Sequence, residues 1–327
     1  MNARASRAGR VERRARRCAR GLAFAIALAP LAAAAAPPAD LDCRALGPQA
    51  VARVLKPWPA PRVLALHGSV PIVTMEPFAA FLEAMGYPRT SLAHPADGAR
   101  TLSSYVDARR FAGEIAWHYE REGMMPMLVG HSQGGMVVLK ALHELAGRNG
   151  PVPVFDPLTG EAQPRTWIVD PRTGARREVT DLVVDFAAVM ATGSLPRLLL
   201  AQWDMLPLLR DVPDSVADFT GFSVPWDPIA GTGPDPAPFH ARGSARVRSV
   251  VLPARYGHVG LPDLADLASR PDARAWIEAW RPGAAAPPAA LADVPNLMQA
   301  ADLWYSIRTH WCEAVKRGAG AHARAPS

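Results

Sequence analysis

The chain has 327 residues, 49% of them hydrophobic and 20% charged, so it can bury a core and is not disordered overall. Its formal net charge of +6 hints at a nucleic-acid partner, but the charge is badly distributed for that. Residues 1–36 hold eight arginines against the single acid Glu12, and the remaining 291 residues sum to −1, which excludes a basic binding face for nucleic acid.

Residues 1–20 are Arg-rich, residues 21–36 are apolar and rich in alanine, and Pro37-Pro38 follow. A charged segment, an apolar segment and small residues in that order predict a secretory signal over 1–36, cleaved near Ala36. The apolar stretch contains Pro30 and is shorter than the ~20 residues that span a bilayer. The pairs Arg13-Arg14 and Arg16-Arg17 leave twin-arginine export open beside the general route. Export to the periplasm or beyond removes Cys18 with the signal. The remaining Cys43 and Cys312 are then expected to form a disulfide. Closing so long a loop is worth at most about 5 kcal/mol of chain entropy.

Strand-like runs alternate with helical patterns through residues 37–281, which predicts an α/β fold with a mostly parallel sheet flanked by helices. Strands are expected at 62–66, 89–93, 126–130, 182–191, 219–224 and 247–252. Helices are expected at 77–85, 102–121, 133–146 and 264–280, the last interrupted at Pro271. Residues 282–290 read as a linker, 291–317 as a C-terminal helix and 318–327 as a disordered tail. Two segments stand apart. Residues 151–180 repeat an Asp-Pro-x-Thr-Gly turn, at 156–160 and 170–174, and predict a small three-stranded β-meander inserted as surface decoration. Residues 195–212 are almost wholly apolar apart from Arg197, Asp204, Asp211 and a few others, and predict a helical lid kinked at Pro207. Leu198, Leu199, Trp203 and Leu206 on it are the candidate cover of an apolar acyl pocket.

The segment Gly130-His131-Ser132-Gln133-Gly134-Gly135 contains Gly-x-Ser-x-Gly. A bare match is modest evidence. Here a buried strand runs into it and a helix closed by Gly147 runs out of it. A serine on such a sharp turn stands clear of the sheet, and the amide after it sits at the positive end of a helix. Ser132 is the candidate nucleophile. The backbone N–H groups of Gln133 and of Ser69, in the turn after the first strand, are the candidate oxyanion donors. A serine hydroxyl needs a base. His258, in the loop after the last strand, falls at the sheet edge where Ser132 emerges; His240 precedes that strand, and His310 and His322 lie in the tail. Asp227, after the strand at 219–224, is the candidate acid, with Asp235 and Asp218 as competitors. His67, His94, His118, His131 and His143 show no metal-ligand spacing.

With these residues in hand, the chain resembles the α/β-hydrolase superfamily of serine hydrolases over about residues 60–280, and GHSQGG resembles the elbow of secreted bacterial lipases and esterases. The resemblance implies a minimal form of that fold, no metal or organic cofactor, and a Ser132–His258–Asp227 triad that cleaves apolar carboxylic esters through an acyl-enzyme. It also implies lipid-interface contact through the lid. The segment Thr192-Gly193-Ser194-Leu195-Pro196 departs from the turn that lipases often carry there, so no calcium site is carried over. An amidase, peptidase or acyltransferase on the same triad, and a non-catalytic binding protein on the same fold, stay open.

Overall fold

The computed structural model describes residues 41–70, 73–193, 203–205 and 207–322. At its centre is a five-stranded sheet of β1 (Val63–Leu66), β2 (Met127–His131), β7 (Val184–Met190), β9 (Val216–Ser223) and β11 (Arg246–Val251). Neighbours lie in chain order, β1-β2-β7-β9-β11, and every pair is parallel. All five strands therefore end at one edge. The register sets Leu66 opposite Gly130, Met190 opposite His131 and Phe222 opposite Met190.

Parallel strands are joined by crossovers, and those here cover both faces of the sheet. Side chains alternate between two separate cores, as the two-residue strand period requires. On one face Val63, Ala65, Met127, Val129, Phe186 and Ala188 pack with helix α2 (Glu76–Ala84) and the C-terminal helices. Those are α5 (Pro271–Ala279) and the 26-residue α6 (Leu297–His322), which buries Trp304 and Trp311. On the other face Leu64, Leu66, Leu128, Ala187 and Val189 pack with α3 (Ala108–Glu122) and α4 (Gln133–Leu145). A short helical turn begins at α1 (Pro48–Ala50) and continues through Leu55.

The expected α/β class and the five longer strands are present. Several finer expectations are corrected. Residues 89–93 are not a strand: Arg89–Ser91 form a 3-10 turn, and the Arg62 guanidinium takes the carbonyls of Thr90 and Ala93 that a ladder would need. The helix expected from 102 starts at Ala108. Before it, Leu102 extends the sheet beside β1, through Leu102 N–H to Ala65 O at 2.7 Å and His67 N–H to Leu102 O at 3.1 Å. Asp107 caps the helix instead, its Oδ1 accepting from the Arg110 amide at 2.9 Å.

The 151–180 insertion is two hairpins rather than one meander: β3 (Phe155–Asp156) with β4 (Glu161–Ala162), and β5 (Trp167–Val169) with β6 (Arg176–Glu178). Each Asp-Pro turn closes its own hairpin, and Pro164 between them has no N–H for a continuous ladder. The 195–212 lid is not a helix to its end. Trp203–Met205 form a 3-10 turn, and β8 (Asp211–Val212) pairs in parallel with β10 (His240–Ala241). Leu198, Leu199 and Leu206 lie outside the described residues, and Trp203 is exposed. The 264–280 helix divides at Pro271 as expected, into a 3-10 turn Ala265–Ala268 and α5. The tail is helical through His322, beyond the expected end at 317. The signal expected over 1–36 also lies outside the described residues.

Cys43 and Cys312 form the expected disulfide, with Cα atoms 5.5 Å apart at a sequence separation of 269. Such a bond is consistent with an oxidising compartment. Around it α6 is tied to the N-terminal segment through Lys316 Nζ to Leu41 O at 2.8 Å and Trp311 Nε1 to Pro59 O at 3.1 Å. Among the described residues no helix is long and apolar enough to cross a membrane. Replacing both cysteines by alanine is expected to lower stability by about 2–5 kcal/mol. Urea unfolding of the wild type and the double variant measures it, and an unchanged midpoint would contradict that role.

Candidate active site

Ser132 follows β2 directly and precedes α4, with φ 53° and ψ −117°. Few non-glycine residues adopt a positive φ, and the strain is of the order of 1–3 kcal/mol. The surroundings over-determine it. Ser132 N–H donates to Met190 O at 2.8 Å, and Thr192 Oγ1 donates to Ser132 O at 3.1 Å. The turn is also sterically closed. A Cβ on Gly130 would lie 2.5 Å from the Gly134 backbone, and one on Gly134 would lie 2.4 Å from Leu66 O. Only hydrogen fits at either position.

His258 lies past β11, in the loop after the 3-10 turn Ala254–Tyr256. Its Nε2 is 2.9 Å from Ser132 Oγ and its Nδ1 is 2.7 Å from Asp227 Oδ2. The carboxylate can only accept, so Nδ1 carries the hydrogen and Nε2 faces the serine as the acceptor. Asp227 follows β9 after Trp226, which takes φ 57°. Its other oxygen, Oδ1, accepts from the amides of Ile229 and Ala230, each at 2.9 Å. Burial by itself would raise the Asp227 pKa. The hydrogen bonds from His258 and the Ala230 and Ile229 amides outweigh burial and hold it below the usual carboxylate value.

All three sequence candidates for the triad are thus in contact and buried. The competitors are elsewhere. Asp235 is exposed. Asp218 is at the opposite end of the sheet, bonded to Arg246 at 2.6 Å and 3.2 Å from His310. Gly68 lies beside the serine, since a Cβ on it would be 3.1 Å from Ser132 Cβ. This places the Gly68–Ser69 peptide next to Ser132. Gln133 opens α4, where an amide has no acceptor within the helix. Among the described residues neither the Ser69 nor the Gln133 amide has a hydrogen-bond acceptor.

Sequence reasoning set aside His131, which has a definite place here. Its Nε2 is 2.9 Å from the carbonyl oxygen of His258, and the two rings are 5.1 Å apart. A carbonyl accepts only, so His131 donates from Nε2. Burial, with the charge His258 can carry, lowers the His131 pKa to about 4, so at neutral pH it stays uncharged beside His258. Two further residues, unmarked by any motif, hold the same loop. Asn296, at φ 58°, donates to Gly260 O at 2.6 Å, and Gln299 donates to Leu261 O at 3.1 Å. Both lie at the start of α6, far along the chain from the base.

Among the described residues no group of three or more His, Cys, Asp or Glu could hold a metal ion. A cavity of about 620 Å³ opens at the amino ends of the strands, lined by Asp218, Arg246, Arg248, Tyr305 and His310 among others. None of the triad lines it, and two of its arginines are paired with acids, Arg246 with Asp218 and Arg248 with Asp302. The candidate site is therefore the hydrogen-bonded group of Ser132, His258 and Asp227 rather than that cavity.

Comparison with protein-family models finds no match, and neither does comparison with curated proteins. The functional reading therefore rests on geometry.

The lowered Asp227 pKa has a definite sign. Its stabilising contribution is present above the unfolded-state value of about 3.9 and is lost as pH falls through the lower folded-state value. The stability difference between wild type and Asp227→Asn should shrink as pH falls through the carboxylate range. Urea titrations at a series of pH values measure it, and a difference that grows toward low pH contradicts it.

Proposed function

We propose that this chain is an exported serine hydrolase of the α/β-hydrolase type, cleaving carboxylic esters with apolar acyl groups. The hydrogen-bonded series Ser132–His258–Asp227 carries the reading, because it joins a nucleophile, a base and an orienting acid at one buried point. Ser132 Oγ attacks the ester carbonyl carbon while His258 Nε2 takes the hydroxyl proton. The tetrahedral oxyanion receives the N–H groups of Ser69 and Gln133. Its collapse expels the alcohol, which takes the proton from His258 and leaves the acyl group on Ser132. Water then repeats the two steps, releasing the acid and restoring the serine. Asp227 stays ionised and stabilises the imidazolium. Acyl transfer by this route uses protein groups alone.

An apolar rim supports an apolar substrate and contact with a lipid surface. Val70, Tyr105, Trp226, Ile229 and Val259 are large hydrophobic residues left exposed. Each is tied to a site residue. Val70 follows Ser69, Trp226 precedes Asp227 and Val259 follows His258. Tyr105 Oη donates to Ser69 O, and the Ile229 amide donates to Asp227. An exposed cluster of this kind favours an apolar ligand or interface. The apolar run with Leu198, Leu199, Trp203 and Leu206 is the proposed cover of the acyl group. The Arg-rich and apolar N-terminal pattern, with the Cys43–Cys312 disulfide, supports export.

A fluorophosphonate probe should label Ser132, and Ser132→Ala should lose both the label and ester turnover, the latter by about 10⁴-fold or more. An ester panel of rising acyl length, with and without a lipid–water interface, reads the substrate class. Absence of labelling sinks the proposal. Faster turnover of amides, or of acyl transfer to an added alcohol, would assign the same triad to an amidase or an acyltransferase.

A further inference from the structure

Ser104 belongs to no motif and lies outside the triad, yet it is almost fully buried at the site. Its hydroxyl donates to Gly68 O at 3.0 Å. Its own carbonyl accepts from Gln133 Nε2 at 3.1 Å. It sits two residues past Leu102, which is bound into the end of β1, so its backbone is held by the sheet. One buried residue therefore touches Gln133 and the Gly68 carbonyl, which shares a peptide unit with the Ser69 amide, the other candidate oxyanion donor.

The geometry points to Ser104 as a positioning residue that sets the Ser69 amide as an oxyanion donor. This rests on the proposed hydrolase reading. A trans peptide is planar, with its C=O and N–H pointing in opposite directions. Gly68 C=O and Ser69 N–H belong to one such unit. Anchoring the carbonyl on Ser104 Oγ therefore fixes the direction of the amide. The anchor matters because Gly68 has no side chain to bias its backbone, so the orientation of this peptide depends on the groups that bind its carbonyl. Glycine is required there, as a Cβ would crowd His131 Nδ1 and Ser132 Cβ, both at 3.1 Å.

His67 Nδ1 lies 2.5 Å from the same Gly68 oxygen, and Tyr105 Oη donates to Ser69 O at 2.8 Å. The unit is thus gripped at successive carbonyls. Donation into Gly68 O also polarises the peptide and strengthens its N–H as a donor. On the other side, the Gln133 side chain ties the start of α4 to the same Ser104. Ser104 is thus the one residue among these that links the Gly68–Ser69 unit to the start of α4.

The test is turnover of p-nitrophenyl butyrate by wild type, Ser104→Ala, Ser104→Thr and Ser104→Cys. A trifluoromethyl ketone, which forms a tetrahedral adduct on Ser132, is measured as inhibitor in parallel. Loss of a whole oxyanion donor costs about 10²–10³ in kcat, so a misdirected one should cost about 10-fold or more in Ser104→Ala. KM should stay within about twofold, because the oxyanion forms only after binding. Ketone affinity should fall in step with kcat/KM, and Ser104→Thr, which keeps the hydroxyl, should recover both. Ser104→Cys fills the space with a weak donor and should fall between, which separates donation from packing.

A wild-type kcat in Ser104→Ala overturns the inference. So does a loss that threonine fails to rescue, an unchanged ketone affinity, or a fall in Tm large enough to explain the loss. If wild type itself neither turns over the ester nor labels at Ser132, the hydrolase reading fails instead.

Discussion

The first turn of α4 lies against the ends of β1 and β2 at a separation that leaves room only for hydrogen at residues 130 and 134. That contact throws Ser132 into its positive φ and lifts its side chain off the sheet. The helix's free amides then meet the turn that follows β1. A methyl group at either glycine would drive strand and helix apart by about an ångström or more, and every distance at the site would lengthen. The strain is held by bonds from neighbouring strands, since Met190 and Thr192 both belong to the segment of β7.

The parallel sheet does the remaining alignment. With strands in chain order, the ends of β2, β9 and β11 lie along one edge, and each contributes one member of the hydrogen-bonded series. His258 and Ser132 are 126 residues apart in sequence yet 2.9 Å apart in space. The edge also explains why loops rather than helices carry these groups. Loop backbone is irregular and must be pinned, and side chains from other elements pin it. His131, Asn296 and Gln299 hold the base loop by its carbonyls, while Ser104 and Tyr105 hold the turn after β1. The buried donors among them, His131, Asn296, Gln299 and Ser104, are costly to lose, because each leaves an unsatisfied carbonyl behind.

Charge is managed at the same point. Asp227 is kept ionised by two amides and the imidazole, whereas His131, in ring contact with the base, is kept neutral by burial. His258 thus has an ionised carboxylate on one side and an uncharged imidazole on the other. At the far end of the sheet a different set of charges, Asp218 with Arg246 and His310, ties α6 to β9. There burial would lower the His310 pKa, but Asp218 and Glu313 outweigh it and raise the value. That end serves to dock the helix whose first turn supplies Asn296 and Gln299.

Much of this was legible from residue order. Strand periodicity, the Gly-x-Ser-x-Gly turn, the relative order of Ser132, Asp227 and His258, and the lone cysteine pair are local or nearly local signals, and they located the sheet, three residues that the fold joins by hydrogen bonds, and the disulfide. The failures have physical causes as well. Residues 89–93 have strand-like composition, but Arg62 takes their carbonyls; residues 102–107 have helical spacing, but the end of β1 offered Leu102 a partner. Asp211 and Val212 joined a strand at 240–241 that no local pattern announces. Ser104, His131, Asn296 and Gln299 were invisible as site residues because their role lies in backbone carbonyls they reach across the fold. A sequence determines which groups can donate and which segments prefer to be strand or helix. Which carbonyl each buried donor meets is decided only when the sheet closes and water is excluded, because only then does an unpaired polar group become costly.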